Sequence, residues 1–347
     1  MFVIVSGYPC IAQTMLADTS VVAFVNGEPI IVREFMKCAE KRRSQVIRYF
    51  RINYGSEYNN EFWSKAYDGK TPSDILKKET LDTLEQIKIQ QISAKKWGIV
   101  SDISYMEFLR LLQKENNRRL EARKLNKVIY GPVQYSEDVY YNYLFTNMVN
   151  QLKNVLDEKV FSISDEKLKQ VYEIDKNRLY RRGYYMKIRL IGMKIKPENN
   201  FEEDSKLRKD VALMLTDIAD SIFTNESYIA EIKEKYKKNQ AVLLTVEDII
   251  YNDSVYSQEE DNAVKSLVKE AANKMLINER SPVKEYPDAL YIFQVKEKRL
   301  LGYRSFNDCK RTIRASFLDK LYLDYIHNLV LKSNVQLNSD IYRQINF

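Results

Sequence analysis

The order of hydrophobic periodicities most constrains what this 347-residue chain can fold into. Over residues 32–155 apolar residues return every three or four positions, the period of helices with one buried face. Over residues 187–195 apolar side chains fill both phases of a two-residue alternation: Ile188, Leu190 and Gly192 oppose Arg189, Ile191 and Met193. That pattern belongs to a strand covered on both faces. The run Leu290-Tyr291-Ile292-Phe293-Gln294-Val295 is the clearest strand in the chain, and Ala241 to Val246 suggest another. The helical period then returns over residues 306–331. The expected class is α+β, with a strand-bearing segment set between helix-rich ones.

Local signals mark where elements begin and end. Val21 to Val25, the Asn26-Gly27 turn, and Ile30-Ile31 read as a short hairpin. A helix follows from about Val32, with Phe35, Ala39, Val46 and Phe50 on one face and Arg33, Glu34, Lys41, Arg48 and Arg51 on others. Thr71-Pro72-Ser73-Asp74 opens a second helix, whose Leu81, Leu84, Ile87, Ile92 and Ala94 make a wide apolar face. Gly98 stands where a left-handed stop is needed. Ser104 and Glu107 have the spacing of a capping box, and the charged residues 114–127 read as an exposed helix end or loop. A Tyr-rich helix covers residues 138–155, and Ser162 to Glu166 begins another at an expected domain boundary. Helices are expected near 207–223, 228–236 and 262–276. In the last long helix Cys309, Ile313, Phe317, Leu321 and Leu329 form one face, and a strand through Val335 and Leu337 closes the fold.

Composition narrows the chemistry. His327 is the sole histidine, which excludes paired-histidine catalysis and histidine metal clusters; its Tyr-rich helical setting favours a structural role. Cys10, Cys38 and Cys309 show no CxxC spacing, leaving either a Cys38–Cys309 bridge or free thiols. No phosphate-loop, serine-hydrolase or zincin motif occurs, and no cofactor or metal is expected. The 55 Lys and Arg exceed the 48 Asp and Glu by seven, a modest excess that suits a mixed, solvated surface. It would also favour an anionic partner such as lipid or cell-wall polymer. Basic–aromatic stretches at Lys41-Arg42-Arg43, Arg48-Tyr49-Phe50-Arg51 and residues 178–182 carry a remote reading as a single-stranded nucleic-acid binder. Acidic neighbours such as Glu40 and Asp175 dilute them, and no nucleic acid is expected. Residues 1–20 read as a signal or leader segment that lacks a basic start.

Four motifs in order resemble the SurA/PrsA-type foldases over about residues 21–340. They are the Val21 to Ile30 opening, the Ala94-Lys95-Lys96-Trp97-Gly98-Ile99 to Asp102 stretch, Ile163-Ser164-Asp165-Glu166-Lys167-Leu168 with Tyr172, and Ser281-Pro282-Val283 before the final strand. The resemblance implies a helical chaperone domain over 21–163, completed by a returning helix and strand over 300–347. A parvulin-like domain, an antiparallel sheet with helices, would be inserted over 164–299.

Rotating a peptide bond costs about 18–20 kcal/mol, and X–Pro isomerisation is slow without help. Parvulins of this family surround the prolyl ring with two histidines, a Cys or Asp, and a glycine-rich turn. Arg189 matches the family's first-strand arginine, but the next position is Leu190 and the closing-strand histidine is Tyr291. No glycine occurs between Gly192 and Gly302. No catalytic residue is therefore assigned, and Tyr291 and Phe293 are candidates for peptide binding. The expected function is an extracytoplasmic chaperone for unfolded or exported polypeptides, acting through apolar and aromatic grooves. An active prolyl isomerase, with Tyr291 donating a hydrogen bond, is the alternative.

Overall fold

Asn26 and Gly27 take φ of 48° and 87°, the positive pair that a two-residue hairpin turn requires. They fold β1 (Val21–Val25) back onto β2 (Glu28–Ile31), and β7 (Val335–Leu337) adds to the other edge of β1 in the order β2-β1-β7. The strand expected at Val335 and Leu337 thus completes the first sheet. The computed structural model describes residues 16–195, 201–236, 242–254 and 263–347. The expected leader, apart from residues 16–20, and Cys10 lie outside these residues, as do Ala241 and Asn262.

By internal packing the chain divides into two compact units, one of Met1–Asp165 with Arg314–Phe347, the other of Glu166–Ile313. The first contains α1 (Val32–Tyr54), α2 (Pro72–Lys96), α3 (Tyr105–Lys124) and α4 (Glu137–Leu156). Its core joins Val22, Ile30, Phe35, Leu84, Ile89, Leu152 and Leu156 to Tyr322, Ile326 and Ile345 from the C-terminal portion. α2 starts with a reciprocal cap between Thr71 and Asp74. It stops at Gly98, φ 70°, where the amides of Gly98 and Ile99 donate to the carbonyls of Lys95 and Ala94.

Three expectations in this unit need correction. Ser104 caps α3 by accepting from the Glu107 amide, but the Glu107 carboxylate turns to Arg110 and the Ser104 amide donates to Asp102. Only half a capping box forms, because a charged partner one turn on outcompetes a backbone amide. Glu34, expected off the apolar face of α1, is buried against Lys88 at 3.1 Å. Within the charged stretch 114–127, α3 continues to Lys124 and Arg119 is buried.

The second unit contains α5 (Asp165–Leu179), β3 (Tyr184–Ile195), α6 (Phe201–Thr224), α7 (Tyr228–Tyr236), β4 (Val242–Asn252), α8 (Ala263–Ala272), β5 (Lys284–Tyr286) and β6 (Ala289–Leu300). The sheet is antiparallel in the order β4-β3-β6-β5. One face of β3 and β6, with Ile191, Met193, Leu290 and Ile292, packs on Val211, Leu215 and Ile222 of α6. The other, with Met186, Ile188, Leu190, Phe293 and Val295, packs on Val268 and Ala272 of α8. Helices on both faces explain why neither phase of these strands is polar. β4 runs six residues past the expected end at Val246, to Asn252.

α9 (Phe306–Val330) contains the division between units. Its buried positions pass from Cys309 and Ile313 to Tyr322 and Ile326, while Phe317, Leu321 and Leu329 are only half-buried. The single stripe expected from sequence fails because the two ends of the helix serve separate cores. Residues 300–313 belong to the inserted unit, where Tyr172 donates to the Arg304 carbonyl and packs edge-on against Phe306. Cys38 and Cys309 are free thiols, and burial pushes the Cys38 thiol up to about 11.

Candidate functional site: an apolar pocket on the inserted sheet

The inserted unit holds a cavity of about 450 Å³ between α8, the segment after it, and β6. Leu267, Val268 and Ala271 of α8 form one wall, followed by Met275, while Pro282 and Phe293 supply more apolar surface. The wall is held by Lys298 on β6. Its Nζ donates to the carbonyls of Ala272, Asn273 and Met275 at 3.1, 2.9 and 2.7 Å, capping the C-terminal end of α8. Burial lowers the affinity of Lys298 for its proton, yet three carbonyl acceptors hold the ammonium in place. Opposite, Ser281 is laced to β6: its amide donates to the Phe293 carbonyl, and its hydroxyl accepts from the Phe293 amide at 3.0 Å. Ser281 is thus a structural pin with no base beside its hydroxyl.

Tyr291 projects from β6 into this pocket, its ring edge-on to Tyr286 with centroids 5.5 Å apart. Opposite it on β3 is Gly192. A methyl group there would meet the Tyr291 ring and the Thr245 hydroxyl at 2.7 Å, so the glycine makes room for the aromatic ring. Burial raises the Tyr291 phenol above its ordinary range, with Asp288 and Glu247 adding to the effect. The hydroxyl therefore stays protonated and can donate one hydrogen bond. Leu190 is buried beneath the same face, paired across the strands with Phe293.

Arg189 lies in the opposite phase. Its guanidinium makes a two-pronged contact with Asp248 at 2.7 and 2.8 Å and pairs with Glu226 at 2.7 Å. These carboxylates raise the arginine further, and the guanidinium holds Asp248 below the usual carboxylate range. The structure therefore brings Leu190, Tyr291 and Phe293 together on the pocket face and leaves Arg189 in a separate ion-pair cluster. His327 is exposed on α9, in the other unit. No group of three or more metal-ligating side chains occurs among the described residues.

Sequence reasoning missed the α8 wall, although Val264, Leu267, Val268, Ala271 and Met275 have the spacing of an amphipathic helix. It also missed the Lys298 cap, for which a lone lysine in a strand gives no signal. In chemical terms the pocket can hold an apolar side chain, with the phenols of Tyr286 and Tyr291 and the ammonium groups of Lys274 and Lys284 also among its lining. Among its lining residues there is no imidazole, thiol or carboxylate apart from Glu270.

No protein-family profile matches the chain. Among curated proteins it is 25% identical over 150 residues to a chaperone for lacto-N-biosidase from Bifidobacterium longum, covering 43% of this chain and 54% of that protein. It is 27% identical over 142 residues to the foldase protein PrsA of Caldanaerobacter subterraneus, covering 40% and 44%. The chain spans about half the length of the curated relatives it matches. Among solved structures it aligns with a SurA-like chaperone of Campylobacter jejuni over 92% of this chain and 98% of that one, at 15% identity and a TM-score of 0.31. It aligns with PrsA of Streptococcus pneumoniae over 77% and 91%, at 16% identity and a TM-score of 0.22. The resemblance read from the four motifs thus has sequence counterparts among named chaperones and foldases.

Proposed function

We propose that this chain is a folding chaperone of the SurA/PrsA type that acts outside the cytoplasm on unfolded or exported polypeptides. Its inserted unit binds apolar client side chains and leaves prolyl bonds unaccelerated. The observation that carries this reading is the pocket itself: largely apolar walls and a protonated Tyr291, with no imidazole among its lining residues and Leu190 buried on the same face of the sheet. With no histidine among the lining residues, the main contribution is burial of apolar surface, worth about 25 cal/mol per Å². Sequence likeness to a foldase and to a chaperone supports the same class. Among the described residues no helix is long and apolar enough to cross a membrane. The basic excess of the chain favours an anionic envelope surface as a second partner.

The test is refolding of an aggregation-prone protein whose slow phase is limited by a prolyl bond, followed by light scattering and by the rate of that phase. The expected result is reduced scattering with an unchanged slow phase, and weaker suppression by Tyr291→Ala. Acceleration of the slow phase that Tyr291→Phe abolishes would establish the isomerase instead.

A further inference from the structure

The connection from α3 to α4 presents apolar side chains to solvent while its backbone is firmly tied down. α3 ends with Asn126 at φ 51°, where the amides of Asn126 and Lys127 donate to the carbonyls of Arg123 and Ala122. The buried guanidinium of Arg119 then staples the loop from inside. One nitrogen donates to the carbonyls of Tyr130 and Pro132 at 2.9 and 2.8 Å, a second to the Tyr135 hydroxyl at 3.0 Å, and the third to Glu115 at 2.8 Å. The same guanidinium lies 4.2 Å from the centre of the Tyr135 ring. Asn116 adds a reciprocal pair of bonds to the Tyr135 backbone.

This anchoring covers none of the outward apolar groups. Leu125 is 64% exposed, Val128 80% and Tyr130 87%. Side chains so little covered stand proud singly and form no walls of a groove. Within the loop the charge has one sign: over residues 122–136 the ionisable side chains besides tyrosine are Arg123, Lys124 and Lys127, with acidic residues only at the flanks, Glu121 before and Glu137 and Asp138 after. Lys124 also contacts the exposed Glu121 just before.

We propose that this stapled loop is an interfacial docking tip for an anionic lipid bilayer. Leu125, Val128 and Tyr130 would enter the headgroup–acyl boundary while Arg123, Lys124 and Lys127 pair with lipid phosphates. Apolar insertion and cationic attraction add in such binding, and a phenol suits the boundary because its ring is apolar and its hydroxyl wet. Prior ordering by Arg119 removes much of the entropy cost that a free loop would meet on docking. The inference rests on the anionic-surface reading above, for which it names the residues.

Sedimentation of the full chain with vesicles tests it, using phosphatidylcholine alone and with about 30 mol% phosphatidylglycerol. Wild-type protein should bind the anionic vesicles, more weakly as salt rises. Arg123→Gln/Lys124→Gln/Lys127→Gln should lower partitioning on the order of 100-fold, at about fivefold per cation. Val128→Ser/Tyr130→Ser should lower it roughly tenfold. Both variants alter exposed groups, and unchanged thermal melting would confirm that they are folded. Loop variants that bind like wild type would overturn the loop assignment and leave the anionic surface standing. Wild type that ignores phosphatidylglycerol would overturn both. Variants that keep vesicle binding but lose aggregation suppression would reassign the loop to polypeptide clients.

Discussion

Lys88 and Glu34 meet at 3.1 Å with almost no solvent on either, and the Lys88 ammonium lies 3.4 Å from the Ile103 carbonyl. Desolvation raises the Glu34 carboxyl, opposed by the Lys88 ammonium. Attraction between buried charges repays their dehydration only in part, so the pair tolerates joint replacement better than the loss of one member. Lys88→Met should cost about 3–5 kcal/mol in urea unfolding. Glu34→Leu/Lys88→Met should recover most of that loss, and a double variant as unstable as the single would refute the account. None of this was legible in the sequence. Helical periodicity set Glu34 with Arg33 off the apolar face of α1, and only the packing of α1 against α2 shows that its partner lies 54 positions away.

At the scale of elements, local chemistry was readable and long-range chemistry was not. The Asn26-Gly27 hairpin, the Thr71–Asp74 cap and the Gly98 stop each depend on a few adjacent residues, and each forms as expected. The two-sided apolar phases of β3 correctly implied cover on both faces, although the identities of α6 and α8 as that cover come only from the fold. Of the candidate site, Leu190, Tyr291 and Phe293 share a face because positions 190, 291 and 293 are fixed by strand alternation and register. The α8 wall depends on Lys298, whose ammonium caps three carbonyls at once. Lys298→Met keeps the apolar stem and removes the donors. It should cost about 1 kcal/mol, the net worth of a part-buried hydrogen-bond set whose Ala272 carbonyl keeps the Met275 amide as a partner. Hydrogen exchange should quicken in α8 more than in β3, and α8 protection equal to that of the wild type would dismiss the cap as incidental.

At the scale of the whole molecule, each unit carries its own core, and the first draws on both ends of the chain. Ile345 is buried beside Val22 and Phe35 in one hydrophobic cluster. Ile345→Ala should therefore cost about 2–4 kcal/mol. By hydrogen exchange, protection should fall across β1, α1 and α2 while β3 and β6 keep theirs. Loss spread evenly over the chain would mean that the two cores do not melt separately. The α+β class was legible at this scale because the order of periodicities survives any detail of packing. The face of α9 was not, since one helix serving two cores obeys neither pattern alone.

The strand pairing of β1 with β7 joins residues 21–25 to residues 335–337. During synthesis on the ribosome, the first sheet must wait for a partner made about 300 residues later, whereas the inserted unit has all its strands well before. Closing so long a loop is entropically slow, and until then the apolar flank of β1 stays uncovered. A protein read as a guardian of unfinished chains thus passes through a prolonged unfinished state itself.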